Sequence, residues 1–132
     1  MVLGRSRRII EETILWANTR EAFGKKLINQ PVIQSHIGEM VADFQATYAQ
    51  YEKLTGMYNT MSKAEANAKL GGPTAILKYK CTRMSTLVSD RATQVLGGRG
   101  VSKYCRTTLT KPSALTNQPI KTALKNIGDK DW

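Results

Sequence analysis

Three groups of residues in this chain have types and spacing suited to chemistry. The first is Gln94-Val95-Leu96-Gly97-Gly98-Arg99-Gly100. Consecutive glycines bare their backbone N–H groups and let a phosphate come close, with an arginine beside them. A phosphate-binding glycine loop ordinarily precedes a helix, where the helix dipole is positive. This one follows a helical pattern, so a plain helix C-cap competes with ligand contact. It is not a dinucleotide fingerprint, because no strand precedes it. The second group is Arg20-Glu21-Ala22-Phe23-Gly24-Lys25. Cations at a helix C-terminus complement the dipole, so an anion contact competes with simple capping, and Phe23 with simple packing.

The third group is His36, Glu39 and Asp43. The carboxylates stand one helical turn apart and could exchange protons, but they read as a solvated helix face before they read as an acid/base pair. His36 is the single histidine and has no serine–aspartate constellation around it. One histidine and two cysteines 24 residues apart, Cys81 and Cys105, make no zinc site and no disulfide framework. No metal ligand set is predicted. Tyr48, Tyr51 and Tyr58 read as bundle packing before they read as a stacking platform.

The elements that must position these groups are helical. Ile10, Ile14 and Ala17 recur at helical spacing within residues 5–22, and Gly24 is expected to cap that helix. Pro31 suits the first turn of the next one. Over residues 31–61, Ile33, Ile37, Met40, Phe44, Thr47, Tyr51, Leu54 and Tyr58 alternate at spacings of four and three. That seam belongs to a helix about 45 Å long, which needs neighbours along it. Residues 62–70 are polar, and Gly71-Gly72-Pro73 punctuates the chain. Pro73 opens a helix with Leu77, Cys81, Met84, Val88, Ala92 and Val95 on one face, and it stops at Gly97-Gly98. Beyond residue 100 the apolar period fades, with Leu115, Ile120, Leu124 and Ile127 as one weak amphipathic stretch. The fold expected is an all-α, up-and-down antiparallel bundle of three to four helices over residues 1–100. Residues 101–132 are expected to form a divergent, weakly structured basic tail.

Composition bounds the function. The chain has 132 residues, 41% hydrophobic and 23% charged, which is room for one folded domain. No stretch approaches the roughly 20 apolar residues of a membrane span. Glu11 and Glu12 interrupt any signal-peptide or transit-peptide pattern, and the paucity of cysteine suits an intracellular setting. The net charge is +10 and nearly all of it belongs to residues 67–132. Such a balance points to an anionic partner. No nucleic-acid-reading motif accompanies it, so nucleic acid ranks below other anions.

Taken together, the motifs resemble one family. Trp16 through Lys25 is similar to the R-x-x-F-G-K segment of acyl-CoA dehydrogenases. Gln30-Pro31-Val32-Ile33-Gln34 with Met40 looks like the start of the helix that follows there. Gln94 through Gly100 is similar to the family's Q-(V/I)-x-G-G-x-G motif. The resemblance covers about residues 5–101 and falls within the family's C-terminal helical domain, which also carries tetramer contacts. It implies FAD as cofactor and an acyl-CoA thioester as substrate of the complete enzyme, which forms a 2,3-double bond. It implies that Arg20 meets the FAD pyrophosphate with Phe23 beside it, and that Gln94, Gly97 and Gly98 contact FAD of a neighbouring subunit. The family glutamine eleven residues after the arginine falls on Pro31, which leaves Gln30 and Gln34 as its candidates.

The family's catalytic glutamate would fall near Lys121, and no glutamate follows Glu65. Some branches place the base near Arg20, where Glu12 and Glu21 stand, but no spacing assigns either the role. No catalytic residue is therefore expected in these residues, nor dehydrogenase turnover by them alone. The sequence is expected to be a truncated C-terminal domain that assembles as a homo-oligomer. The resemblance suggests a mitochondrial, peroxisomal or cytoplasmic location. A non-catalytic helical interaction module is the alternative, with a basic anion-binding or nucleic-acid-binding domain ranked third.

Overall fold

A computed structural model describes residues 2–100. The expectations for residues 101–132, including the amphipathic stretch and Cys105, lie outside the described residues. The elements in order are α1 (Val2–Thr19), a two-stranded hairpin of β1 (Glu21–Ala22) and β2 (Lys25–Lys26), a single 3₁₀ turn (Leu27–Asn29), α2 (Pro31–Thr60), α3 (Lys63–Lys69), α4 (Gly71–Leu96) and a second 3₁₀ turn (Gly97–Arg99). The all-α bundle is as expected, with a short α3 between the second and third principal helices.

The seam of α2 is where the spacing placed it. Ile37, Met40, Phe44, Thr47 and Leu54 are buried and Ile33 is half-buried. The Thr47 hydroxyl escapes an unsatisfied burial by donating to the Asp43 carbonyl at 2.8 Å, one turn back. Tyr51 and Tyr58 leave the seam and stay exposed. Met84, Val88, Ala92 and Val95 of α4 meet Ile10, Ile14 and Ala17 of α1 and the α2 seam in one core. A second small core of Leu54, Ala66 and Leu70 lies under α3. Cys81 is half-buried on the α4 face, and desolvation pushes its thiol above the usual range, as suits a packing residue.

Pro73 stands at the start of the third principal helix, as expected. α4 already begins at Gly71, and Pro73 lies in its first turn, where a missing N–H costs nothing.

The direction of the helices follows from three contacts. Glu39 pairs with Arg91, Asp43 with Lys80, and the Tyr58 hydroxyl lies 3.4 Å from that of Thr74. Residue numbers rise along α2 as they fall along α4, so the two run antiparallel. The tight hairpin returns α1 directly into α2. The C-termini of α1 and α4 and the N-terminus of α2 therefore share one end of the bundle.

Candidate functional site at one end of the bundle

Arg20 is the first residue past α1. Its N–H donates to the Trp16 carbonyl at 2.9 Å, and its own carbonyl accepts from the Leu27 N–H at 2.9 Å. Between those two bonds the chain makes a hairpin, pairing Glu21 with Lys26 and Ala22 with Lys25. The two turn residues are Phe23 and Gly24, with φ of 55° and 72°. Positive φ at both positions is the signature of the tight hairpin turn whose twist matches its strands. Gly24 thus takes the left-handed conformation expected of it, but as a hairpin residue. Its expected role as a helix cap is corrected, because α1 stops at Thr19, ahead of Arg20.

Phe23 is the anomaly of the hairpin. Asparagine or glycine ordinarily fills its position, and a bulky residue at positive φ is strained. Its ring is 95% exposed, so no packing within the described chain offsets that strain. Strain held without internal benefit is a mark of functional positions. Arg20, Lys25 and Lys26 are exposed around it, and none of them is ion-paired among the described residues. The end of the hairpin is a cationic surface with an uncovered aromatic ring.

Gln30 lies immediately before α2 and is half-buried, but its side chain does not cap the helix. Gln34 is exposed in the first turn, where its N–H donates to the Gln30 carbonyl at 3.0 Å. Gln94 is exposed in the last turn of α4. Gly97 is the helix C-cap, its N–H bonded to the Thr93 carbonyl, with φ 60° and ψ −140°. That conformation belongs almost solely to glycine. The local C-cap reading of the motif is correct, and it does not compete with ligand contact, because Gln94, Gly97 and Gly98 stay exposed.

The glycines after Gly97 differ in purpose. A Cβ on Gly100 would come within 3.0 Å of the Thr93 Cα and 3.1 Å of its carbonyl oxygen, so packing demands glycine there. Gly98 has open space around it and an ordinary φ. Nothing among the described residues requires Gly98 to lack a side chain.

All seven sequence candidates, Arg20, Phe23, Gln30, Gln34, Gln94, Gly97 and Gly98, stand at this one end. No side-chain hydrogen bond links any two of them among the described residues. What joins the two motifs is a pair that the sequence reading did not single out. The Arg99 guanidinium lies 4.6 Å from the centre of the Trp16 ring, within cation–π range.

The acidic candidates lie elsewhere. Arg91 donates to Glu39 at 2.6 Å, and Lys80 lies 3.6 Å from Asp43. Both stand on the solvated face expected of them and, in addition, tie α2 to α4. A shallow open groove of about 380 Å³ runs beside them, lined by Asp43, Arg83, Thr86, Leu87, Asp90 and Arg91. His36 is half-buried, and its Nδ1 finds no partner among the described residues. No group of three potential metal ligands occurs among the described residues, and no helix there is long and apolar enough to cross a membrane.

Comparison with known proteins agrees with the motifs. The family profile described as "Acyl-CoA dehydrogenase, C-terminal domain" matches residues 1–119, which carries the match past Gly100. Acyl-CoA dehydrogenase apdG of Emericella nidulans is 30% identical over 102 residues, 77% of this chain and 23% of that protein. Acyl-CoA dehydrogenase AFT10-1 of Alternaria alternata is 31% identical over 104 residues, again 77% and 23%. The (R)-benzylsuccinyl-CoA dehydrogenase of Thauera aromatica is 33% identical over 101 residues, 76% of this chain and 23% of that protein. The chain therefore spans less than a quarter of the length of these relatives.

Proposed function

This chain belongs to the acyl-CoA dehydrogenase family through its C-terminal helical domain, and from that premise we propose that the hairpin end of the bundle is its flavin-contacting surface. Bound FAD would accept the hydride lifted from an acyl-CoA thioester, the substrate class supported by the names of all three relatives. The observation that carries the reading is Phe23: strained at φ 55°, 95% exposed, and flanked by cations that have no acidic partner among the described residues.

The residues fit the group. A pyrophosphate is a dianion, and Arg20 offers it a planar fork of donors. Lys25 and Lys26 add unpaired charge nearby. The N-terminus of α2 shares this end and brings its positive dipole. That answers the objection from the glycine motif, which lies at a negative helix end: the anion is held by a side chain. Phe23 would lie beside the bound phosphate. Gln94 and the bare backbone of Gly97-Gly98 would contact the flavin of a neighbouring subunit, and Gln30 and Gln34 stand at the same end. The chain thus works as a homo-oligomer, in which each copy completes its neighbour's cofactor site. These 132 residues by themselves turn over no acyl-CoA, because no glutamate follows Glu65 and no spacing assigns a base to Glu12 or Glu21.

The test is a titration of the purified chain with FAD, followed by quenching of flavin fluorescence. Saturable binding that is lost in Arg20→Gln is expected, with no dye reduction on adding acyl-CoA. Equal binding by both proteins would overturn the assignment of Arg20. Dye reduction by the chain alone would overturn the claim of inactivity.

A second reading has its own observation. Tyr51 and Tyr58 on α2, and Ile76 and Tyr79 on α4, are all more than 40% exposed. Exposed aromatic and aliphatic side chains on both helices favour a helical interaction module, with or without flavin. Light scattering that shows a monomer at high concentration would contradict it.

A further inference from the structure

The geometry points to Trp16 and Arg99 as positioning residues that lock the glycine turn onto the hairpin, so that two motifs nearly 80 residues apart behave as one unit. The connection is short. The Arg99 guanidinium lies 4.6 Å from the centre of the Trp16 ring. The carbonyl of the same Trp16 accepts the N–H of Arg20 at 2.9 Å and the hydroxyl of Thr19 at 3.1 Å. One residue therefore grips the glycine turn with its ring and anchors the root of the hairpin with its backbone.

The turn needs such a grip. Gly97 leaves the helix in a conformation that few residues share, and the Gly100 N–H closes back on the Gly97 carbonyl at 2.8 Å. Gly100 is pressed against Thr93. Between them a side chain on Gly98 would meet nothing within 4 Å among the described residues, and consecutive glycines lose more conformational entropy on ordering than any other pair. Arg99 is the residue of this turn with a long side chain, and that side chain reaches to α1. A cation held on an aromatic face survives partial exposure better than an ion pair screened by salt. The Trp16 ring is half-buried, which gives the guanidinium a fixed platform.

The lock is independent of what the end binds. Its consequence for cofactor affinity rests on the flavin reading above, so the experiment keeps the two apart. Amide hydrogen exchange is measured on the full chain without ligand, for wild type, Arg99→Gln, Trp16→Leu and the double variant. Each single change is expected to speed exchange at Gly98 and Gly100 about two- to fivefold, the size of an exposed cation–π contact. Exchange at Met40 and Phe44 in the core stays as it was. The double variant is expected to be no faster than either single one. Trp16→Phe, which keeps a ring, and Arg99→Lys, which keeps the cation, restore most of the slow exchange.

Unchanged exchange at Gly98 and Gly100 in Arg99→Gln would overturn the proposal. So would additive effects in the double variant, or failure of both conservative variants to restore. A parallel FAD titration reads the flavin assignment separately: absent binding in the wild type counts against that assignment and leaves the exchange result standing.

Discussion

Arg91 of α4 donates to Glu39 of α2 at 2.6 Å, across 52 residues of sequence. The pair marks the register of the two longest helices, which their shared buried core sets, and with it which residues of α4 reach the hairpin end. Arg91 and Glu39 are both about one-third or more exposed, so solvent screens the attraction. Replacing either by a neutral residue should cost no more than about 1 kcal/mol. A double-mutant cycle by urea denaturation should find coupling of that order at low salt, fading in molar salt.

Truncating the core should cost far more. Met40, Met84 and Val88 are fully buried at the junction of α1, α2 and α4. Met40→Ala should lose about 2–5 kcal/mol by removing transfer energy and leaving a cavity. Tyr51→Ala, on the exposed side of the same helix, should change stability by less than about 0.5 kcal/mol. Denaturation midpoints of the two variants decide the comparison.

Much of this architecture can be read in the sequence. The 4–3 spacing from Ile33 to Leu54 names the buried stripe of α2, because burial on a helix repeats with its turn. The Met84-to-Val95 stripe of α4 follows for the same reason. Glu39–Arg91 cannot be read that way. Pairing between helices depends on their relative register, which one-dimensional spacing does not encode. The hairpin was hidden too: Phe-Gly is not a usual tight-turn pair, so Gly24 passed for a helix cap. Local chemistry alone left both motifs open to capping. Their order and combination pointed to the family, and the topology then brought them to one end.

The three glycines of the turn should separate folding from function. Gly97→Ala should lose about 1–3 kcal/mol, since its backbone conformation excludes a side chain. Gly98→Ala should leave the denaturation midpoint in place, because space around it is open. Under the flavin reading, Gly98→Ala should nevertheless weaken FAD binding, by setting a methyl where the cofactor comes close.

Phe23 offers the opposite trade. Asparagine tolerates positive φ, and the exposed ring contributes almost no burial. Phe23→Asn should hold or raise stability, by up to about 1 kcal/mol. FAD affinity should fall at the same time. A variant more stable and less able to bind flavin would mark Phe23 as a residue kept for its site.

The hairpin end, and not the groove between α2 and α4, is the surface proposed to meet the flavin. Hydrogen exchange of the full chain with and without FAD tests it most directly. Protection is expected at residues 20–26 and 97–100, with no change at Asp43, Arg83 or Arg91. Protection confined to the groove, or none at the hairpin while FAD is bound, would contradict it.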